Sequence, residues 1–383
     1  MFFLTTISFV TAGDINSQDG SVESLTINQA VNIAKEQLFI KEEVEGINGL
    51  SWTDDEAYKI IVYVESEEYI KNVPSTIAGY ETEVKVIGQV WALGTKQLSK
   101  SKPIDMMYGP RWQYRNPICG GLAIGTNIYL NYYGTLCVVT EPDSQVTNPE
   151  NYILSCAHVL AQRKRGVHVT RPYSKVKVYQ PAILQGGLHK IGYLKDYVKL
   201  NYYNISRPNN IDAAIAVLYD YQDAEYNAVL GNNDKTTYQI KYSCVTPPAS
   251  PDVFIRKSGA TTGVKYSWIT DKHANLKVCY YALNQTEILW AWFEDVILVY
   301  QSKHNLFVDA GDSGSFVDYP DGGNSFVGIA FAGSDDVAVV CKSSYIISEL
   351  GLNKKAKSRS LNAIPLFEKI LDRFPLFEKI LNL

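Results

Sequence analysis

No two of the six cysteines form a C-x-x-C pair, so a structural zinc site has no anchor in this sequence. No H-E-x-x-H, no P-loop and no G-x-G-x-x-G occurs, which leaves metalloprotease, NTPase and dinucleotide chemistry unsupported. No apolar run reaches the roughly 18 residues that a spanning helix needs. Positive charge is not in excess: 36 Lys and Arg against 40 Asp and Glu give a net charge of -4, whereas a nucleic-acid binder needs clustered cations to neutralise phosphates. The expectation is a protein with no metal, no organic cofactor, no nucleic-acid partner and no membrane span. The one basic stretch, Arg163, Lys164 and Arg165 followed by Arg171, Lys175 and Lys177, reads as a solvated loop. Its alternative is a rim that favours acidic substrates.

What is present is the composition of a globular protein, 46% hydrophobic over 383 residues, which suits two or three domains. Residues 1–24 form either a short signal peptide, ending near Ala12, or a disordered start. On the first reading the protein is secreted, and on the second it is intracellular. Six free thiols would count against secretion. Residues 25–100 read as a small α+β domain. In it Thr26 and Gln29 make a capping box before Ile27, Ala30, Val31, Ala34 and Leu38 at helical spacing. Strands are expected over 58–64 and 81–93. A linker rich in Lys, Ser, Gly and Pro covers 94–110. From 111 to 352 short strands alternate with turn residues, as in a barrel or sandwich. The tail, 353–383, repeats "PLFEKIL" in tandem. This reads as a recent duplication without a role.

The string "DAGDSGSF", Asp309–Phe316, crowds an acid, two glycines and two serines. A serine hydroxyl attacks only when a histidine takes its proton and a carboxylate fixes that histidine. Its oxyanion needs backbone N–H donors. Ser313 is the candidate nucleophile, and Gly311 can aim its N–H beside that of Ser313. Asp312 is expected to turn inward and pair with a buried cation. His158, in "YILSCAHVLA", is the candidate base, because a strand leads into it. His168, His189, His273 and His304 have no such setting. Asp212 precedes the apolar run "AAIAVLY", where burying a carboxylate is costly unless something uses it. A turn-capping aspartate is the alternative. The order His158, Asp212, Ser313 excludes an α/β-hydrolase, which needs its serine first.

Together these motifs resemble the trypsin/chymotrypsin superfamily, and more the bacterial-type peptidases than the digestive ones. "ILSCAHVLA" resembles the segment of the base, "NNIDAAIAV" that of the acid, and "AGDSGSFV" that of the nucleophile. "RKSGATTGVKYSWI" resembles a structural segment of the second barrel. The resemblance implies a mainly β fold with two antiparallel barrels, preceded here by the small α+β domain. It implies catalytic His158, Asp212 and Ser313, an oxyanion hole at the Gly311 and Ser313 N–H groups, and a substrate groove along Phe331, Ala332 and Gly333. Phe307 stands where trypsins keep an acid, so a preference for Arg or Lys is not expected. "ICGG" directly follows Pro117, not Arg or Lys, so activation by a new N-terminus is not expected. The implied function is a serine endopeptidase acting on a protein or peptide substrate. A second reading is a silent, protease-like module that binds an extended peptide. A third makes the N-terminal domain a pro-segment or inhibitor in the cleft.

Overall fold

A computed structural model of the chain describes residues 25–53, 58–93, 109–140, 150–162, 168–182, 189–244, 253–281 and 288–352. The leader, nearly all of the expected linker, Arg163–Arg165 and the duplicated tail lie outside them. The described chain is mostly β. No helix among the described residues is long and apolar enough to cross a membrane.

Three sheets carry the fold. In the largest, six antiparallel strands close into a ring: Phe254–Gly259, Ser315–Tyr319, Ser325–Gly333, Val337–Lys342, Ile288–Tyr300 and Gly263–Tyr281, the last returning to Phe254–Gly259. Val317, Val327, Ile255, Ile269, Ile297 and Val340 of these strands fill one core. The second sheet has seven strands and includes Tyr152–Ser155 beside Ala214–Leu218. A small third sheet pairs Ala224–Leu230 with Ile118–Gly120 and Thr237–Gln239.

The N-terminal strands extend the large sheet. Ile47–Trp52 pairs with the long strand Gly263–Tyr281 through Gly49 opposite Leu276. Ile60–Val64 follows, then Tyr80–Val86 in parallel. Strand Ile60–Val64 is apolar at four of five positions and buried throughout, because both its faces are covered. Ile60, Val62 and Val64 pack with Ala30, Val31 and Ala34 of the helix Ile27–Lys35. Ile61 and Tyr63 face the main core instead. The helix begins at Thr26, whose hydroxyl accepts the Gln29 N–H while the Gln29 side chain accepts the Thr26 N–H. Such a cap is worth about 1 kcal/mol.

The strand expected over 81–93 is broken in two. Tyr80–Val86 ends before Gly88, which takes a left-handed φ of 69°. The chain then turns and resumes as the two-residue strand Trp91–Ala92. That short strand lies between Gly263–Tyr281 and Ser325–Gly333, with Trp91 opposite both Cys279 and Gly333, and Ala92 opposite Ala332.

Candidate active site

Pairing within the seven-stranded sheet brings His158 and Asp212 together. Ser155 lies opposite Ala214 at the end of their two antiparallel strands. His158 follows in the short helix Ala157–Leu160, and Asp212 precedes its strand by two positions. Both side chains are fully buried. His158 Nδ1 lies 2.5 Å from Asp212 Oδ2, and the His158 backbone N–H donates to Asp212 Oδ1 at 3.0 Å. With its Nδ1 proton held by the carboxylate, a neutral imidazole presents Nε2 as an acceptor. Ser313 Oγ lies 2.7 Å from that Nε2.

Asp212 is held below the usual carboxylate range even though burial pushes it up. The hydrogen bonds from the His158 ring and backbone N–H groups and from the Tyr280 hydroxyl outweigh burial. Tyr280 donates to Asp212 Oδ2 at 3.0 Å from the long strand. Sequence reasoning missed this tyrosine, because nothing in "KVCYYAL" separates it from an ordinary core residue. Two more groups complete the surroundings of Asp212 and Cys156. Cys341 Sγ accepts the Asp212 N–H at 3.3 Å, and Cys156 Sγ faces the Ala330 carbonyl at 3.8 Å. Both thiols are free and buried, as are Cys119, Cys137 and Cys279.

Ser313 enters from the large sheet, just before strand Ser315–Tyr319. Gly314 bridges to that sheet through its N–H on the Ala330 carbonyl at 2.9 Å. Thr135 ties the Ser313 loop to the other sheet. Its N–H donates to the Ser313 carbonyl at 2.6 Å and its hydroxyl to the Gly311 carbonyl at 2.8 Å. Thr135 was not predicted either. Gly311 has φ +94°, and a Cβ there would lie 2.3 Å from the Tyr133 ring and 2.4 Å from Thr261 Oγ1. No side chain fits, so the turn that aims its N–H requires glycine.

Asp312 turns inward. Its Oδ1 accepts the N–H groups of Thr261 at 2.9 Å and Thr262 at 3.2 Å. Its Oδ2 accepts the Asp309 N–H at 3.0 Å and the Thr262 hydroxyl at 2.7 Å. The cation is Lys257, whose Nζ is 3.0 Å from Oδ2; neither side chain has any exposure. Lys257 also donates to the Thr262 hydroxyl. Burial lowers the Lys257 ammonium to about 8 against the opposing pull of Asp312. The loop is thus held by a side-chain cation from strand Phe254–Gly259.

Phe331, Ala332 and Gly333 are buried along the strand that borders Ser313. Their backbone edge is taken by the chain's own residues. Ala92 and Trp91 pair with Ala332 and Gly333. The Leu93 N–H donates to the Phe331 carbonyl at 3.0 Å, and the Leu93 carbonyl accepts the Gly311 N–H at 3.0 Å. Leu93 is 8% exposed. It belongs to the same apolar cluster as Phe307, Val308 and Ala330. Trp91 stacks on Tyr281 with ring centroids 4.4 Å apart.

A mostly β chain therefore places a serine hydroxyl, an imidazole and a buried carboxylate in one hydrogen-bonded line. Among the solved structures to which it is similar are serine proteases of the trypsin/chymotrypsin type. Thermobifida fusca Protease A is 14% identical over 61% of this chain and 96% of its own, with a TM-score of 0.39. Nocardiopsis protease is 14% identical over 61% and 95%, with a TM-score of 0.38. Cellulomonas bogoriensis chymotrypsin is 15% identical over 61% and 96%, with a TM-score of 0.37. No protein-family model and no curated protein matches the chain.

Proposed function

We propose that this protein is a serine endopeptidase, with residues 111–352 as its peptidase domain. On this reading the closed ring around Val317 and the seven-stranded sheet are the two barrels, and the site lies between them. Ser313 Oγ attacks a peptide carbonyl and gives its proton to His158 Nε2. Asp212 keeps the His158 tautomer fixed and stabilises the imidazolium. The Gly311 and Ser313 N–H groups face the oxyanion. His158 then protonates the leaving amine, and water hydrolyses the acyl-enzyme. The observation that carries this reading is the line from Asp212 through His158 to Ser313, with distances of 2.5 and 2.7 Å.

The occupied groove favours one second reading, a silent module that holds an extended strand by its backbone. A fluorophosphonate probe separates the two. It should label Ser313 covalently and fail on Ser313→Ala and His158→Ala. Because Leu93 covers the groove, Leu93→Glu is included as an opened form. If neither the native chain nor Leu93→Glu takes the label, the peptidase reading is wrong.

A further inference from the structure

Trp91, Ala92 and Leu93 lie beside Ser313 through their backbone, not merely packed nearby. Three backbone contacts define their direction and register. Trp91 pairs antiparallel with Gly333, the Leu93 N–H reaches the Phe331 carbonyl, and the Leu93 carbonyl meets the Gly311 N–H. An inhibitory plug needs only to fill space. This one lays its Leu93 carbonyl on an N–H two residues before Ser313, where the oxyanion would form. The approach is built: the chain leaves Tyr80–Val86, turns at left-handed Gly88 and anchors Val90 by its carbonyl on the Cys279 N–H at 2.8 Å.

Resting on the peptidase reading above, we propose that the chain is its own first substrate. Ser313 cuts the bond that follows Leu93, Leu93–Gly94, and residues 90–93 then remain in the groove as bound product. Ser313 Oγ bonds to the Leu93 carbonyl carbon as its proton passes to His158 Nε2. The C–N bond to Gly94 breaks, and His158 gives that proton to the departing Gly94 amine. A water, deprotonated by His158, attacks the acyl carbon and frees the Leu93 carboxylate. The proton returns to Ser313 Oγ. One water and one peptide bond become one carboxyl and one amine.

The same placement assigns the preferred substrate class. Leu93 belongs to one apolar cluster with Phe307, Val308 and Ala330, and a Cβ on Gly333 would be 3.1 Å from Val308 Cγ2. The residue before the cut is therefore apolar and of leucine size. An acidic side chain is disfavoured there, because burying a carboxylate is costly.

The test follows the purified full chain over time by intact mass and N-terminal sequencing, with fluorophosphonate labelling in parallel. The chains are native, Ser313→Ala, Leu93→Met and Leu93→Glu. Native and Leu93→Met should each separate into two pieces, one ending at position 93 and one beginning at Gly94. Ser313→Ala should stay whole. Leu93→Glu should stay whole yet label at Ser313. Cleavage of Leu93→Glu at the same bond overturns the proposal, as does a native chain that labels but stays whole. A native chain that neither cuts nor labels, beside a Leu93→Glu that labels, also overturns self-cleavage and leaves the strand an uncut inhibitor. If no chain labels, the peptidase reading has failed, which is a distinct result.

Discussion

Replacing Lys257 by methionine keeps most of the side-chain volume and removes only the charge. The structure sets the size of the effect. Lys257 and Asp312 have no exposure and are 3.0 Å apart, and breaking such a buried pair from one side costs about 3–5 kcal/mol. Asp312 keeps three N–H donors and one hydroxyl from Thr261, Thr262 and Asp309, so the lower end, about 3 kcal/mol, is expected. At about 2.1 cal/mol/K of unfolding entropy per residue, a chain of 383 residues should lose on the order of 4 °C in Tm. Stability is measured by urea unfolding in the Ser313→Ala background, which keeps the chain whole. Adding Asp312→Asn removes the stranded charge and should recover more than half of the loss. Labelling of the active chain should fall at least tenfold, because the loop that aims the Gly311 N–H loses its tether. There is also a pH signature. In the folded protein Lys257 gives up its proton near pH 8, whereas the unfolded chain keeps it to about 10.4. Between those values the unfolded state binds more protons, so this group's contribution to stability rises with pH. The ion pair nevertheless fades, so labelling should decline above about pH 8 without unfolding. Lys257→Met should lack that decline. A variant that loses under about 0.5 kcal/mol and labels within twofold of native would refute the reasoning, since ordinary surface changes cost no more than that.

Other outcomes can be stated briefly. Tyr280→Phe removes one donor to Asp212 and should lower kcat about tenfold with KM unchanged, from the roughly 1.5–3 kcal/mol of a hydrogen bond to a charged group; an unchanged kcat in a peptide assay would contradict this. Gly311→Ala sets a Cβ against Tyr133 and Thr261 at a left-handed φ and should abolish labelling; a normally labelled alanine variant would refute the donor role of that N–H. Asp212 is depressed in the folded state, so its contribution is complete above the unfolded value of about 3.9 and is lost as pH falls below it. The stability gap between Ser313→Ala and Ser313→Ala with Asp212→Asn should therefore narrow between about pH 6 and about pH 3; a gap that widens would reverse the sign. Burial pushes Cys279 to about 11 and Cys119 to about 12, and Cys137, Cys156 and Cys341 well up. Iodoacetamide at about pH 8 should modify none of these five thiols until the chain is unfolded; rapid modification of any of them in the native chain would contradict the burial.

How much could be read from the sequence depended on whether the signal was local. The helix at Ile27 was legible because cap and apolar spacing lie close together in the chain. Ser313, His158 and Asp212 were legible as candidates because each stands in a short string with its own chemical logic. The inward turn of Asp312 could be expected from the cost of an unpaired acid beside Ser313. Its partner could not, since Lys257 lies far earlier in the chain, in a segment that reads as an ordinary strand. Tyr280 and Thr135 were hidden for the same reason. Each acts through a strand register that pairing between distant segments decides.

The N-terminal strand shows this limit most clearly. "EVKVIGQVWAL" has one continuous β-propensity, and local reading makes one strand of it. The break comes from Gly88 and from two competing edges. Residues 82–86 pair with Ile60–Val64, whereas 91 and 92 pair with the edge beside Ser313. Only the second pairing sets a leucine carbonyl on the Gly311 N–H. The apolar content of "VWAL" that marks it as core in the sequence is what suits it to the apolar pocket beside Phe307. One composition thus serves two roles, a strand that completes the folded sheet and a peptide that fits the cleft. Converting Leu93 to glutamate separates them, because Trp91 and Ala92 keep their backbone pairing while the side chain loses its place.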